Sequence, residues 1–464
     1  MIHLPSPASL ASSLILSTII ISLLASSPCS GQPGSPVALG HRQHGKGVLT
    51  LQEGLALVTE RNRLIQIASW EKEISSDDVL LARSRYYPVV SASASETIQA
   101  YQPGIILSPS AQVRTQDKNY FAYGLSVYQT LYDFGARSSL YEASRASYEA
   151  TAFDVERIRN LVALDFVTAY FDLLETERLI TVIVNEIEGL RSHRDVAQAL
   201  YEEGVITRND LLQADVRLSD ARQRLLSARN TRAVNASRIN TLLTRPLREE
   251  VRAADVPGLL PAVPDLVQAW QDAERQRPEL KIIDSEMKAR GLEETARKSD
   301  YYPNLFAQGS YAYVENPFQI HKDNWALVAG LNITLSSGGS TNAEVSRLRH
   351  RQSQLAEQKR KTLDDVRFEV ERSHLTMDSA RERVRVTADA IGQARENLRI
   401  TKTRYEEGVG TATDVLDAIT LLTTAETNFY RAVYEVWRAH ATLNYATGVD
   451  LVNIYALHQD SRDE

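Results

Sequence analysis

The stretch Leu200 to Ala214, LYEEGVITRNDLLQA, recurs as RYEEGVGTATDVLDA from Arg404 to Ala418. Tyr201 falls on Tyr405, Gly204 on Gly408, Thr207 on Thr411, Asp210 on Asp414 and Leu212 on Leu416, all at one constant offset. In each copy a run of helix formers stops at a glycine free to take φ > 0, and a new apolar-periodic run begins a few residues later. That is the chemistry of a tight helix-to-helix reversal. A second register matches Leu51–Pro88 to Leu266–Pro303, putting Ile65 on Leu280 and Tyr86-Tyr87-Pro88 on Tyr301-Tyr302-Pro303. Two such coincidences in order make the chain two halves of one structure, not the string of separate domains that 464 residues would otherwise allow.

Ala136 to Glu203 contains no proline and, apart from Gly189, no glycine; Ser340 to Glu407 repeats this with Gly392. A helix over either span would run about 100 Å, far longer than a compact domain is wide. Ile183, Ile187 and Leu190, and later Leu363, Val366, Val370, Met377, Val384 and Ile391, recur at three- and four-residue spacing between charged residues, the pattern of a packing seam. Return helices over Arg208–Leu243 and Ala412–Tyr445 complete two antiparallel hairpins, and the proline-bearing segment Thr244–Pro264 joins them.

Between the short helices that open each half and the long ones, the period changes to two. Phe121, Tyr123, Leu125, Val127 and Leu131 share one face against Gly124, Ser126 and Thr130; Trp325, Leu327, Ala329, Leu331, Ile333 and Leu335 share another against Ala326, Gly330, Asn332 and Thr334. With Val89–Tyr101 and Leu305–Val314 they make four strands, long enough to cross a bilayer at a tilt. Two hairpins on a soluble core would show the same alternation. Gln102–Lys118 and the shorter Glu315–Asn324 read as exposed loops.

The partition is therefore 1–31 export signal, 32–47 disordered lead-in, 48–87 helices, 88–135 β-hairpin, 136–245 helical hairpin and 246–264 linker. The second half follows as 265–302 helices, 303–339 β-hairpin, 340–446 helical hairpin and 447–464 C-terminal tail. The apolar run Leu10–Leu24, followed by small residues, is short for a membrane span and fits an export signal. Cys29, the only cysteine, excludes a disulfide framework and belongs either to that leader or to a lipid attachment. His41 and His44, without partner ligands, belong to a solvated lead-in, so no metal or other cofactor is expected. With 52 basic against 59 acidic residues and no basic block, nucleic-acid binding is disfavoured. No phosphate loop, HExxH or GxSxG motif is present, and the chain reads as a non-enzyme.

Four strands cannot cross lipid alone, because the two edges of the sheet would leave N–H and C=O groups unpaired in hydrocarbon at several kcal/mol each. Transmembrane strands here would have to be pooled among several chains.

From Val48 to Val449 the sequence resembles the TolC-like outer-membrane efflux protein family. The resemblance rests on the duplicated halves, the paired Tyr-Tyr-Pro strand entries, the glycine-containing exits at Leu131–Gly135 and Leu335–Gly339, and the two YEEGV tips. It implies a mixed α and β membrane protein, a homotrimer whose twelve strands close one barrel in outer-membrane lipid above a periplasmic tunnel of long helices. It also implies a periplasmic adapter at the tips and an inner-membrane pump or ABC transporter behind it. On the family pattern Tyr405 matches a tyrosine that holds the periplasmic mouth shut, Asp210 its acidic partner on the neighbouring hairpin, and Asp414 and Asp417 the acidic rings that narrow the lumen. The family member with the best described gate carries an arginine two residues after the tip glycine, where this chain has Gly410; either Arg208 in the other tip substitutes for it or the latch is weaker.

Each of these residues also has a plainer reading. Asp210 and Asp414 stand where a helix cap stands, whereas Asp417 lies one turn further in and has Gln213 as its counterpart. Tyr201 and Tyr405 could serve packing alone. Gly204, Val205, Thr207, Gly408, Val409 and Thr411 suit both a turn and an adapter-docking tip. Rings of aspartates around one axis would attract cations and raise some of their own pKa values. The function expected is a passive exit duct for efflux or type I secretion. The alternative is a periplasmic coiled-coil adapter or scaffold, which would carry one helical hairpin flanked by small β domains. A cytoplasmic coiled coil conflicts with the leader and the strands.

Overall fold

The computed structural model describes residues 48–256 and 260–460; the leader, the lead-in and Cys29 lie outside the described residues. The element order runs twice. The first half has α1 (Leu51–Arg61), α2 (Arg63–Ser84), β1 (Val89–Ile98), β2 (Gly104–Ser108), β3 (Ala111–Arg114), β4 (Asn119–Tyr132), α3 (Ala136–Glu202) and α4 (Arg208–Leu242). The second has α5 (Leu266–Gln276), α6 (Pro278–Lys298), β5 (Asn304–Val314), β6 (Asp323–Asn332), α7 (Ser340–Glu406) and α8 (Ala412–Ala446), with α9 (Leu451–Asp460) closing the chain. α3 and α7 are each 67 residues long and α4 and α8 each 35.

Local chemistry sets the boundaries. Thr50 and Glu53 form a capping box that starts α1. Asn62 breaks the helix: its Oδ1 accepts from Leu64 N–H at 2.9 Å to start α2, and its Nδ2 donates to the Leu242 carbonyl at 3.0 Å where α4 ends. Arg277 holds the matching break between α5 and α6 and donates to the Tyr445 carbonyl at 3.2 Å, near the end of α8. Pro278 follows as the first residue of α6, where its missing N–H costs nothing.

α3 is the central element, packed against α1, α2, α4, α6 and α8. Its middle accordingly buries a broad apolar surface: Val162, Phe166, Val167, Tyr170, Phe171 and Leu173 are fully buried, while Asp172 pairs with Arg438 of α8. Phe166 presses so closely on α1 that a Cβ at Gly54 would lie 2.1 Å from its Cζ. Phe171 stacks on Trp437 of α8 with ring centroids 5.6 Å apart.

Four strands form one antiparallel sheet in the order β1-β4-β5-β6, and β2 and β3 pair with each other in a second. One face carries the row Ala92, Leu125, Tyr311 and Trp325, the other the row Ser91, Ser126, Ser310 and Ala326. Outer strands β1 and β6 each leave one edge unpaired among the described residues. The helices show the same order: α2 and α4 flank α3 on one side, α6 and α8 on the other, and α7 lies beyond α6 and α8. No helix among the described residues is long and apolar enough to cross a membrane.

Three expectations need correcting. The loop Gln102–Lys118 contains the β2–β3 hairpin, tied down where Asn316 Nδ2 donates to the Thr115 carbonyl at 3.2 Å. The last strand ends at Asn332, not Leu335, because its final partner is Asn304, the first residue of β5. The tail after 446 is no mere tail, since α9 buries Leu451 and Tyr455 in the core. The linker is likewise built in. Asp255 joins Arg178 of α3 and Tyr434 of α8, and the carbonyls of Pro261 and Pro264 are held by Arg381 and His374 of α7.

Candidate functional site

Both hairpins reverse through the same device. Gly204 and Gly408 take φ of 75°. Val205 N–H donates to the Leu200 carbonyl at 2.8 Å and Gly204 N–H to Tyr201 at 3.0 Å; Val409 and Gly408 repeat the pair on Arg404 and Tyr405 at 2.9 and 3.0 Å. This satisfies the last carbonyls of α3 and α7 and requires a residue without Cβ strain. In most such caps the residue after the glycine folds back onto the helix, yet Val205 and Val409 stay 61% and 64% exposed at the extreme tips.

The return helices start on Thr207 and Thr411. Asp210 accepts from Thr207 N–H at 3.1 Å and from its hydroxyl at 2.7 Å. Asp414 accepts from Thr411 N–H at 3.1 Å while its own N–H donates to Thr411 Oγ1 at 3.2 Å. The Thr411 side chain first, then its backbone N–H, hold the Asp414 carboxyl below the usual aspartate range. Both aspartates therefore cap helices. Asp417 has no such duty. It lies exposed in a surface groove of about 330 Å³ between α4 and α8, with Asn209, Leu212, Gln213 and Arg217.

Just behind the tips the two hairpins meet in a small apolar cluster of Leu190, Leu218, Tyr405, Val415, Leu416 and Ile419. Tyr405 is 4% exposed, whereas its counterpart Tyr201 is 40% exposed. The hydrogen bond expected from Tyr405 to Asp210 is not formed within the chain. The Tyr405 hydroxyl is buried without a partner, and burial followed by the nearby Asp210 charge raises its pKa. Arg208 is exposed and forms no ion pair among the described residues. At Gly410 a Cβ would come within 3.1 Å of the Tyr405 backbone nitrogen, so this tip is shaped around a glycine.

Sequence reasoning missed His193, which packs against Tyr405 with ring centroids 5.0 Å apart. Its signal was available: it continues the buried register of Ile187 and Leu190 and precedes Ala197 on the same face. Among the described residues no cluster of His, Cys, Asp and Glu is placed to hold a metal.

The model of the family described as outer membrane efflux protein matches residues 55–245 and 269–449. Nodulation protein T of Rhizobium leguminosarum bv. trifolii is 21% identical over 397 residues, covering 84% of this chain and 83% of that protein. The CmeC outer membrane channel of Campylobacter jejuni superposes with a TM-score of 0.76 at 15% identity, over 89% of each chain. The open state of the Neisseria gonorrhoeae MtrE outer membrane channel does so with a TM-score of 0.72 at 19% identity, over 86% of this chain and 89% of that one. With its two halves each matched, the chain belongs to the outer membrane efflux protein family, TolC-like channels of the Gram-negative outer membrane whose tunnel projects into the periplasm, and it is not an enzyme.

Proposed function

We propose that three copies of the chain join head to tail into one duct, the outer-membrane exit of a tripartite efflux or type I secretion system. The observation that carries this is the coincidence of open edges. The sheet is open at β1 and β6, and the helical layer is open on the same two sides. On one side α2 exposes Ile67, Trp70, Ile74 and Leu81, and on the other α7 exposes Phe368, Leu375, Val386 and Ile400. Unlike edges that complement each other give a ring when the rotation closes. A ring of three pools twelve strands, which removes every unpaired edge from lipid.

The sheet suits that environment. The face bearing Leu125, Tyr311, Trp325 and Leu327 would meet lipid, and the serine-rich face would line the pore. Tyr123, Tyr311 and Tyr313 cluster toward one end and Tyr132, Phe134 and Tyr302 at the other, in the manner of interfacial aromatic girdles. At the periplasmic end the tip cluster around Tyr405 is the closed gate, with Asp210 and Arg208 beside it. Asp417 supplies an acidic ring, and Asp414 adds charge to it from its cap. Exposed Val205 and Val409, presented by the Gly204–Thr207 and Gly408–Thr411 turns, dock the hairpins of a periplasmic adapter, which couples the duct to an inner-membrane pump or ABC transporter.

Extraction of the outer membrane in mild detergent tests the assembly. A heat-sensitive trimer by native mass spectrometry, forming cation-preferring channels in planar bilayers, is the expected result. A stable monomer free of membrane would overturn it.

A further inference from the structure

His193 sits on α3 at the point where the first hairpin touches the second, and it is 4% exposed. Its Nε2 has no hydrogen-bond partner, nor has the Tyr405 hydroxyl beside it. A buried imidazole with an unpaired nitrogen tolerates the neutral form and resists a proton. The groups around it reinforce this. From α7 come Lys402, whose charge repels an imidazolium, and Tyr405. α4 contributes Leu218 and Ala221 to the cluster, with the Asp210 charge felt at Tyr405. α8 contributes Ala412, Val415 and Leu416. On α3 itself Arg194 is engaged by Asp195 and Asp215.

We propose that His193 is a positioning residue of the periplasmic gate that makes closure depend on pH. The neutral ring completes the apolar joint that seats Tyr405, and its protonation parts α3 from α7 at the tips. The inference rests on the reading of this cluster as the gate. Burial first, then Lys402, lowers the imidazole pKa from 6.5 to about 4 in the closed arrangement. Once the joint opens and water reaches the ring, its ordinary value returns. The open state then binds more protons than the closed one between these two values. Closure is therefore strongest above pH 6.5 and is progressively lost as pH falls toward 4. At pH 5 the open-to-closed ratio should rise about thirtyfold per chain.

The test is single-channel recording of the full-length protein while the periplasmic side is taken from pH 7.5 to 4.5. Wild type should open progressively below pH 6.5, and His193→Phe, which keeps an aromatic ring against Tyr405 without a titrating nitrogen, should lose that component. What titration remains in the variant belongs to carboxylates such as Asp417. In parallel, exchange of the imidazole C2 hydrogen followed by mass spectrometry reads the His193 pKa in wild-type protein. A value well below 6.5 is expected. Equal pH profiles for wild type and variant, or an ordinary His193 pKa, would overturn the proposal. Failure to form channels at any pH would instead strike the duct reading, and the exchange measurement would still decide for His193.

Discussion

α2 and α6 occupy the same place in the two halves of the chain, yet only one of them is finished. α6 lies between α3 and α7 and exposes no large apolar residue. α2 packs on α3 alone among the long helices and leaves Trp70 68% exposed, with Ile67, Ile74 and Leu81 on the same stripe. Where α2 carries Trp70, Ile74 and Leu81, α6 carries Ser285, Ala289 and Ala296. The small residues fit a neighbour supplied by the same chain; the large ones await a neighbour supplied by another. Duplication thus built the scaffold, and divergence of one helix assigned it an outer side.

The sharpest way to break this comparison is Trp70→Glu. An exposed tryptophan in an apolar stripe has the character of a hot spot, worth about 2 kcal/mol or more at each contact. Loss of the trimer in native mass spectrometry is expected, and an intact trimer would show that α2 faces something else. Next in size is a swap between the halves. Phe166 against Gly54 in the first half corresponds to Val370 against Ala269 in the second. Gly54→Ala should cost about 1–3 kcal/mol by overpacking and Phe166→Val about as much by leaving a void. The double variant should recover at least about 1 kcal/mol of the sum in denaturant unfolding, since it recreates the partner's pairing. Strict additivity would deny that the two contacts are equivalent.

A smaller effect distinguishes the tips. Tyr405→Phe removes a buried hydroxyl that has no partner within the chain, so it should stabilise the tip cluster by about 1 kcal/mol. If that hydroxyl is latched to a neighbouring copy, the same change should instead raise conductance. Tyr201→Phe, at the exposed counterpart, should change neither. Smallest of all, Asp417→Asn should weaken cation preference and block by multivalent cations in bilayer recordings, while Gln213→Asn at the matching position should leave both as they are.

Much of this arrangement was legible in the chain. Long spans without proline, tip glycines and period-two blocks each act locally, so the long helices and reversals could be read to within a residue or two, and the four sheet strands to within three. Partnered features were harder. Alternation continues through Ile333 and Leu335, but a strand stops where its neighbour begins, and nothing in residues 333–335 reports the start of β5. α9 is a short apolar segment whose helix is held by Leu451 and Tyr455 in a core assembled from both halves. Asp210 carried two readings in sequence because a cap and a gate ask for the same carboxylate; only geometry shows its oxygen already held by Thr207. His193 was passed over because a histidine among charged residues looks solvated until its register is counted.

The girdling linker has a mechanical corollary. Asp255 pins α3 and α8 at the level of Arg178 and Tyr434, and from there to the tip α3 runs on as an unstrapped arm of about 36 Å at the usual rise per residue. Such an arm behaves as a lever with its fulcrum at the belt. A tilt of about 10° there would carry the far end some ~6 Å by simple proportion to its length, so a partner grasping the tips could widen the mouth while the membrane end of the molecule scarcely feels the stroke.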